Sequence, residues 1–211
     1  IKSMTKESIK MSSFIIFPMM VGLAACSNHL VSLLLTDAWL DCVPYLIIFC
    51  IIYATYPFGT ANLNAIKALG RSDKFLKLEI AKKIVGICIL VATMWFGVFW
   101  IAIGAVISAV ISLIINNWPN RKLINYGVIE QFLDTLPYLL LSLTMGVFVF
   151  LIGLLNFMGH WIIILQVIFG VAYSICGSYL FKFESFNKLI DILKKFRKGK
   201  HEKDNSFDET N

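Results

Sequence analysis

The chain is a succession of apolar runs separated by short polar connections. Runs cover about residues 14–35 and 43–66, a longer one about 84–115, and two more about 136–155 and 161–181. The single runs match the roughly 20 residues that an α-helix needs to cross about 30 Å of hydrocarbon. The long run exceeds one crossing. It breaks at Gly97-Val98-Phe99-Trp100 and divides into spans of about 80–96 and 101–116. The pattern predicts an all-α fold: a polytopic membrane helical bundle over residues 1–181, with six transmembrane helices. Beyond it, Phe186, Leu189, Ile190, Leu193 and Phe196 fall on one helical face. Lys188, Asp191, Lys194, Lys195 and Lys198 lie largely opposite, so residues 182–211 are expected to be a cytoplasmic basic amphipathic helix and a polar tail.

Composition narrows the class. Of 211 residues 58% are hydrophobic and 15% are charged, and mean hydropathy is +0.78. Soluble chains carry roughly 45–50% apolar and about 25% charged residues. A soluble enzyme, a disordered tail and a nucleic-acid-binding module are therefore excluded. The net charge of +6 alone would be compatible with nucleic acid. Its distribution gives another meaning. All 19 Lys and Arg lie in the N-terminal segment, after spans two and four, or in the tail. By the positive-inside rule both termini are cytoplasmic, and the basic side meets anionic inner-leaflet lipid. Only Asp37 and Asp41 face outward among the acids. Trp39, Trp95, Trp100 and Trp161 mark the outer ends of spans, and Trp118 marks the inner side. Between spans four and five, Ile124, Val128 and Phe132 recur every fourth residue, predicting an amphipathic inner connection.

Candidate chemistry is sparse. No metalloprotease, nucleophile-elbow, phosphate-loop or dinucleotide motif is present, so no catalytic residue, cofactor or metal is expected, and the protein is not expected to be an enzyme. Cys26, Cys42, Cys50, Cys88 and Cys176 show no paired spacing and read as small hydrophobes, with Cys42 in a connection. No Asp, Glu, Lys or Arg falls deep in a span. His29, near the outer end of span one, is the titratable exception, as an interfacial side chain or a proton relay.

Neutral polar groups cluster in span two. Tyr53, Tyr56, Pro57, Gly59, Asn62 and Asn64 lie together toward its inner end. Pro57 lacks a backbone donor and permits a bend, and Pro18 offers a second hinge in span one. Tyr and Asn on a bent helix could line a cavity for a sugar. They could equally hydrogen-bond one helix to another. Lys67 and Arg71, at the inner mouth, either anchor the span or hold a diphosphate. Asn28, Ser32, Gln166, Tyr173 and Ser174 are weaker candidates.

Several segments together resemble a known family. Phe17-Pro18 and then Leu33-Leu34-Leu35-Thr36-Asp37-Ala38-Trp39-Leu40 look like the late part of a Wzx-type polysaccharide flippase. Pro57, Asn62 and Lys67-Ala68-Leu69-Gly70-Arg71-Ser72-Asp73 resemble that family's next helix and inner connection. Gly97-Val98 and Ile101-Ala102-Ile103-Gly104 fit the outer hairpin that follows. The resemblance extends to about Asn116. Such proteins belong to the multidrug/oligosaccharidyl-lipid/polysaccharide exporter superfamily. The resemblance implies a fold of two similar bundles, of which this chain would be the second, in the C-terminal portion of a longer transporter. The start at Ile1, without Met, fits that expectation, and the partner would be the N-terminal bundle of the same chain. The implied activity is flipping of an undecaprenyl-diphosphate-linked oligosaccharide from inner to outer leaflet by alternating access, in a bacterial cell membrane, for surface polysaccharide or lipopolysaccharide biosynthesis. The alternatives are a drug exporter of the same superfamily, a non-transporting membrane scaffold and a membrane-embedded glycosyltransferase.

Overall fold

A computed structural model describes residues 1–155 and 161–181, together with 183, 185, 186 and 188. Among the described residues there are helices and no strands. In chain order they are α1 (Lys2–Ala25), α2 (Ser27–Leu35), α3 (Val43–Ala54), α4 (Tyr56–Ala68), α5 (Ser72–Thr93), α6 (Val98–Leu123), α7 (Val128–Leu154) and α8 (Ile162–Leu180). Short 3₁₀ turns at Asp37–Cys42 and Met94–Phe96 join α2 to α3 and α5 to α6. The chain divides into two compact units, Ile1–Ser174 and Ile175–Asn211.

Five stretches are long and apolar enough to cross a bilayer: Lys2–Ala25, Asp37–Ala68, Val98–Leu123, Val128–Leu154 and Ile162–Leu180. The chain is thus built as a multi-pass helical bundle. The predicted span at 80–96 falls on α5 and the 3₁₀ turn after it. Lys74, Lys77, Glu79, Lys82 and Lys83 all lie between Ser72 and the middle of α5, so this helix does not reach the apolarity of the five stretches. The division of the long apolar run is clear: Gly97, at φ 101°, separates α5 from α6 in a conformation that favours a residue without Cβ.

Two predicted spans are each broken into two helices. The first is interrupted at Cys26, and α1 continues through Pro18 unbroken. The second is interrupted at Thr55, immediately before Tyr56 and Pro57 open α4. Pro57 sits in the first turn there, where its missing donor costs nothing. The turn after α4 is a Schellman motif: Arg71 N donates to Ile66 O at 3.2 Å and Gly70 N to Lys67 O at 2.9 Å. Gly70, at φ 69°, supplies the left-handed residue this motif needs.

α6 and α7 run farther than their apolar runs, leaving only residues 124–127 between them. The amphipathic connection expected there is instead mostly helix, with its polar side turned inward. Gln131 and Thr135 are buried, whereas Val128 and Phe132 are exposed. In a bilayer this is the stable arrangement, because lipid solvates apolar side chains and the bundle satisfies polar ones.

α1 packs along α7 and also meets α3 and α4, and α6 packs against both α4 and α5. Thr5, Ile9, Ser13 and Phe17 recur every fourth residue on α1 and are all buried. The α1–α7 seam is close because Gly146 leaves room for Val21, and a Cβ on Gly146 would stand 2.4 Å from Val21 Cγ1. The Phe14 ring meets Tyr138 edge-on at 5.9 Å, extending the same seam. The cysteines are free: Cys26 and Cys50 are buried, Cys42 is half-buried, and Cys88 and Cys176 are exposed. Of the basic amphipathic helix and tail expected over residues 182–211, all but 183, 185, 186 and 188 lies outside the described residues.

Candidate functional site

α4 has two faces of different character. Pro57, Phe58, Ala61, Asn62, Ala65 and Ile66 are buried against the bundle. Tyr56, Thr60, Asn64 and Lys67, spaced at four, four and three residues, form a polar row on the other side. Tyr56 is 58% exposed, Thr60 is half-buried, and Asn64 and Lys67 are exposed. Tyr53, at the end of α3, is 54% exposed. Thr60 Oγ1 caps its own backbone, donating to Tyr56 O at 3.0 Å, which lowers its polarity toward the outside. The Lys67 ammonium lies 4.3 Å from the centre of the Phe75 ring, a cation–π contact across the turn into α5. Arg71 is the residue before α5 begins and is exposed.

The structure therefore separates the two asparagines that the sequence grouped. Residues two apart on a helix point about 200° away from each other. Asn64 joins the exposed row, and Asn62, 1% exposed, points into the bundle. Of the six candidate binding residues, Tyr53, Tyr56, Asn64, Lys67 and Arg71 are exposed and Asn62 alone is buried.

Asn62 is the centre of a buried amide cluster. Its Nδ2 donates to Gln131 Oε1 at 2.9 Å and to Phe58 O at 2.8 Å. Gln131 Nε2 donates back to Asn62 Oδ1 at 3.1 Å. Asn120 Nδ2 reaches both Asn62 Oδ1, at 2.7 Å, and Asn62 O, at 2.9 Å. Three helices, α4, α6 and α7, are thus tied by amides with little water available to compete. This is helix-to-helix bonding, the structural reading of Asn62. One turn along α6, Asn116 and Asn117 are buried beside it. The oxygens of Asn116 and Asn120 and both amide atoms of Asn117 have no hydrogen-bond partner among the described residues.

Beyond the cluster, the start of α1 is pinned to the α6–α7 turn. Lys2 pairs with Glu130 at 3.0 Å and Lys6 with Asp134 at 2.7 Å. The Lys2 ammonium also donates to Asn125 O at 2.8 Å and lies 5.5 Å from the centre of the Tyr126 ring. Tyr126 is fully buried and donates to Asp134 at 2.9 Å. Burial first, and then its hydrogen bond to Asp134, pushes the Tyr126 phenol far up, so it remains a donor. These contacts hold α1 to α7 beside the amide cluster.

Four of the weaker candidates make local or helix-to-helix hydrogen bonds, and Asn28 is exposed. Gln166 Nε2 donates to Val149 O at 3.0 Å, Tyr173 donates to Thr144 Oγ1 at 3.2 Å, and Ser174 donates to Gly170 O at 2.8 Å. Ser32 hydrogen-bonds Asp37 across the turn after α2. His29 is half-buried, close to the α7 backbone at Gly153. Among the described residues no cluster of His, Cys, Asp and Glu has the spacing to hold a metal.

The residues that sequence reasoning passed over are Gln131, Asn116, Asn117 and Asn120. A signal existed: Asn116 and Asn120, one helical turn apart, stand at the end of an otherwise apolar run. No curated protein and no solved structure matches the chain significantly. Residues 1–44, which include the Phe17-Pro18 and Leu33–Leu40 segments, match a family described as "Polysaccharide biosynthesis protein", and this links the chain to polysaccharide biosynthesis at the membrane.

Proposed function

We propose that the chain is part of a membrane transporter that flips a lipid-linked oligosaccharide, of the undecaprenyl-diphosphate type, from the inner to the outer leaflet by alternating access. The observation that carries this reading is the polar row Tyr56, Thr60, Asn64 and Lys67, exposed except for a half-buried Thr60, on a helix within the Asp37–Ala68 membrane stretch. Hydrocarbon does not solvate such a row, so its natural neighbours are a water-filled path and a second bundle. The match of residues 1–44 to polysaccharide biosynthesis proteins supports a glycan as the cargo.

In this account the chain breaks no covalent bond. Tyr53, Tyr56 and Asn64 offer hydroxyl and amide groups to sugar hydroxyls, and the tyrosine rings offer flat faces for pyranose rings. Lys67 and Arg71, where α4 ends and α5 begins, draw in the diphosphate. The bends at Thr55 and Cys26 let the helix halves reorient as the path opens on alternate sides. The chain would act with an N-terminal bundle of the same protein, in a bacterial cell membrane. Asn62 acts here as a positioning residue, because its amide holds the row's helix to α6 and α7.

The test is flipping of a fluorescent polyprenyl-diphosphate oligosaccharide by the full-length protein in vesicles. Removing Asn64, Lys67 and Arg71 together (to Leu, Gln and Gln) is expected to slow flipping at least about tenfold, as the loss of charged hydrogen bonds implies. Thermal stability should fall by no more than about 1 kcal/mol, because all three side chains are exposed and the contact of Lys67 with Phe75 is worth about that much. An unchanged flipping rate would remove these residues from the path. Export of small cationic compounds without glycan-lipid flipping would favour a drug exporter instead.

A further inference from the structure

A pocket of about 360 Å³ opens between α5 and α6, on the side that the charge pattern places in the cytoplasm. Its wall includes Lys74, Lys77 and Leu78 of α5 and Ile115, Trp118 and Lys122 of α6. The volume lies within the range of small-molecule sites. Three lysines and one indole line it together, and among the described residues none of the three lysines forms an ion pair. The acid that follows them on α5, Glu79, is paired with Lys82 at 2.5 Å. Trp118 is 68% exposed, although the neighbouring Asn117 is buried in the bundle.

Two apolar rows lead away from this pocket. On α5, Lys77 is continued by Ile80, Ile84, Ile87 and Val91, at intervals of three and four residues. On α6, Trp118 is continued by Ile114, Val110 and Ile107 in the same way. All seven apolar side chains are exposed. The site is cationic at one end, aromatic at the boundary and apolar along both helices toward the membrane interior. That sequence of surfaces is the complement of a lipid with an anionic head.

We infer that this pocket binds the phosphate head of an anionic membrane lipid, with the chain lying along the exposed rows of α5 and α6. Lys74, Lys77 and Lys122 neutralise the phosphate and Trp118 packs at the level of the glycerol or the first isoprene. The site is separate from the α4 row and does not depend on the transport reading. Its role is to hold the α5–α6 pair against the inner leaflet.

The experiment uses the full-length protein in phosphatidylcholine vesicles. The emission of Trp118 is isolated by subtracting that of the Trp118→Phe variant. Brominated phosphatidylglycerol at low mole fraction is expected to quench it at least about tenfold more effectively than brominated phosphatidylcholine, since each lysine contributes up to roughly fivefold. The preference should vanish when Lys74, Lys77 and Lys122 are all changed to Gln, substitutions at solvated ends that leave the fold intact. An unlabelled polyprenyl diphosphate that relieves the quenching at lower mole fraction than unlabelled phosphatidylglycerol identifies the carrier lipid as occupant. Weaker displacement identifies the phospholipid, and either result supports the phosphate site. Equal quenching by both brominated lipids, or a preference that survives the triple substitution, overturns the inference.

Discussion

Asn62 and Gln131 face each other as a reciprocal amide pair, with Nδ2 to Oε1 at 2.9 Å and Nε2 to Oδ1 at 3.1 Å. Neither side chain is accessible from outside the bundle. Replacing Gln131 with Leu removes both hydrogen bonds to Asn62 and a third, longer one from Gln131 Nε2 to Tyr126 O, and orphans part of the Asn62 amide. We expect a loss of about 1–3 kcal/mol, the cost of a buried group left unsatisfied. The pairwise coupling from a double-mutant cycle with Asn62→Leu should be smaller, about 0.6–1.7 kcal/mol, as for other interhelical hydrogen bonds in membranes. Denaturant titration in mixed micelles gives both numbers. Strictly additive losses would mean that the two amides are not bonded to each other.

Asn117 should behave in the opposite way. It is 1% exposed and neither of its amide atoms finds a partner among the described residues. Asn117→Leu, which keeps the branched shape and the number of heavy atoms, removes a desolvated polar group and is expected to stabilise the fold by about 1 kcal/mol. The same titration measures it. A destabilised variant would show that the Asn117 amide is satisfied in the membrane.

The α1–α7 seam makes a steric prediction. A methyl at position 146 collides with Val21, whose branched side chain has little rotamer freedom in a helix. Gly146→Ala should cost about 1–3 kcal/mol. The second change Val21→Ala should return most of that loss, and the pair of melting temperatures shows whether it does.

Tyr126 should impose a pH dependence at the alkaline end. Burial and the bond to Asp134 raise its pKa in the folded state, favouring the neutral phenol. The stabilisation is complete below the unfolded value of about 10 and is lost progressively as pH rises above it. Stability measured from neutral pH upward should fall beyond about 10, more steeply in the wild type than in Tyr126→Phe. Identical slopes would place the phenol in water.

Much of the architecture was legible in the apolar pattern, because a bilayer demands long apolar helical stretches. Gly97 was readable as a divider for the same reason. The direction of polarity was harder to read. Ile124, Val128 and Phe132 predict an amphipathic inner connection, and in the structure Val128 and Phe132 are exposed while Gln131 and Thr135 are buried. The same spacing describes a surface helix and an inside-out membrane helix, and only the neighbours decide between them. For the candidate site, the polar cluster of span two was legible, but not which of its members point into the bundle. Asn62 and Asn64, however, were assigned one role, and a helix gives residues two apart opposite surroundings. Gln131 and the asparagines of α6 were passed over because they stand beyond the apolar runs, where the helices nevertheless continue.

The central claim is that the face of α4 bearing Tyr56, Thr60 and Asn64 borders water inside the membrane. It is tested most directly by introducing Tyr56→Cys, Thr60→Cys, Asn64→Cys and, as controls, Asn62→Cys and Ile47→Cys, into a cysteine-free full-length protein. A charged, membrane-impermeant thiol reagent is then applied to each side of sealed vesicles. The account predicts modification at positions 56, 60 and 64, with protection by the glycan-lipid, and none at 62 or 47. No modification at 56, 60 and 64 from either side, with labelling there by a lipid-soluble maleimide, would contradict it.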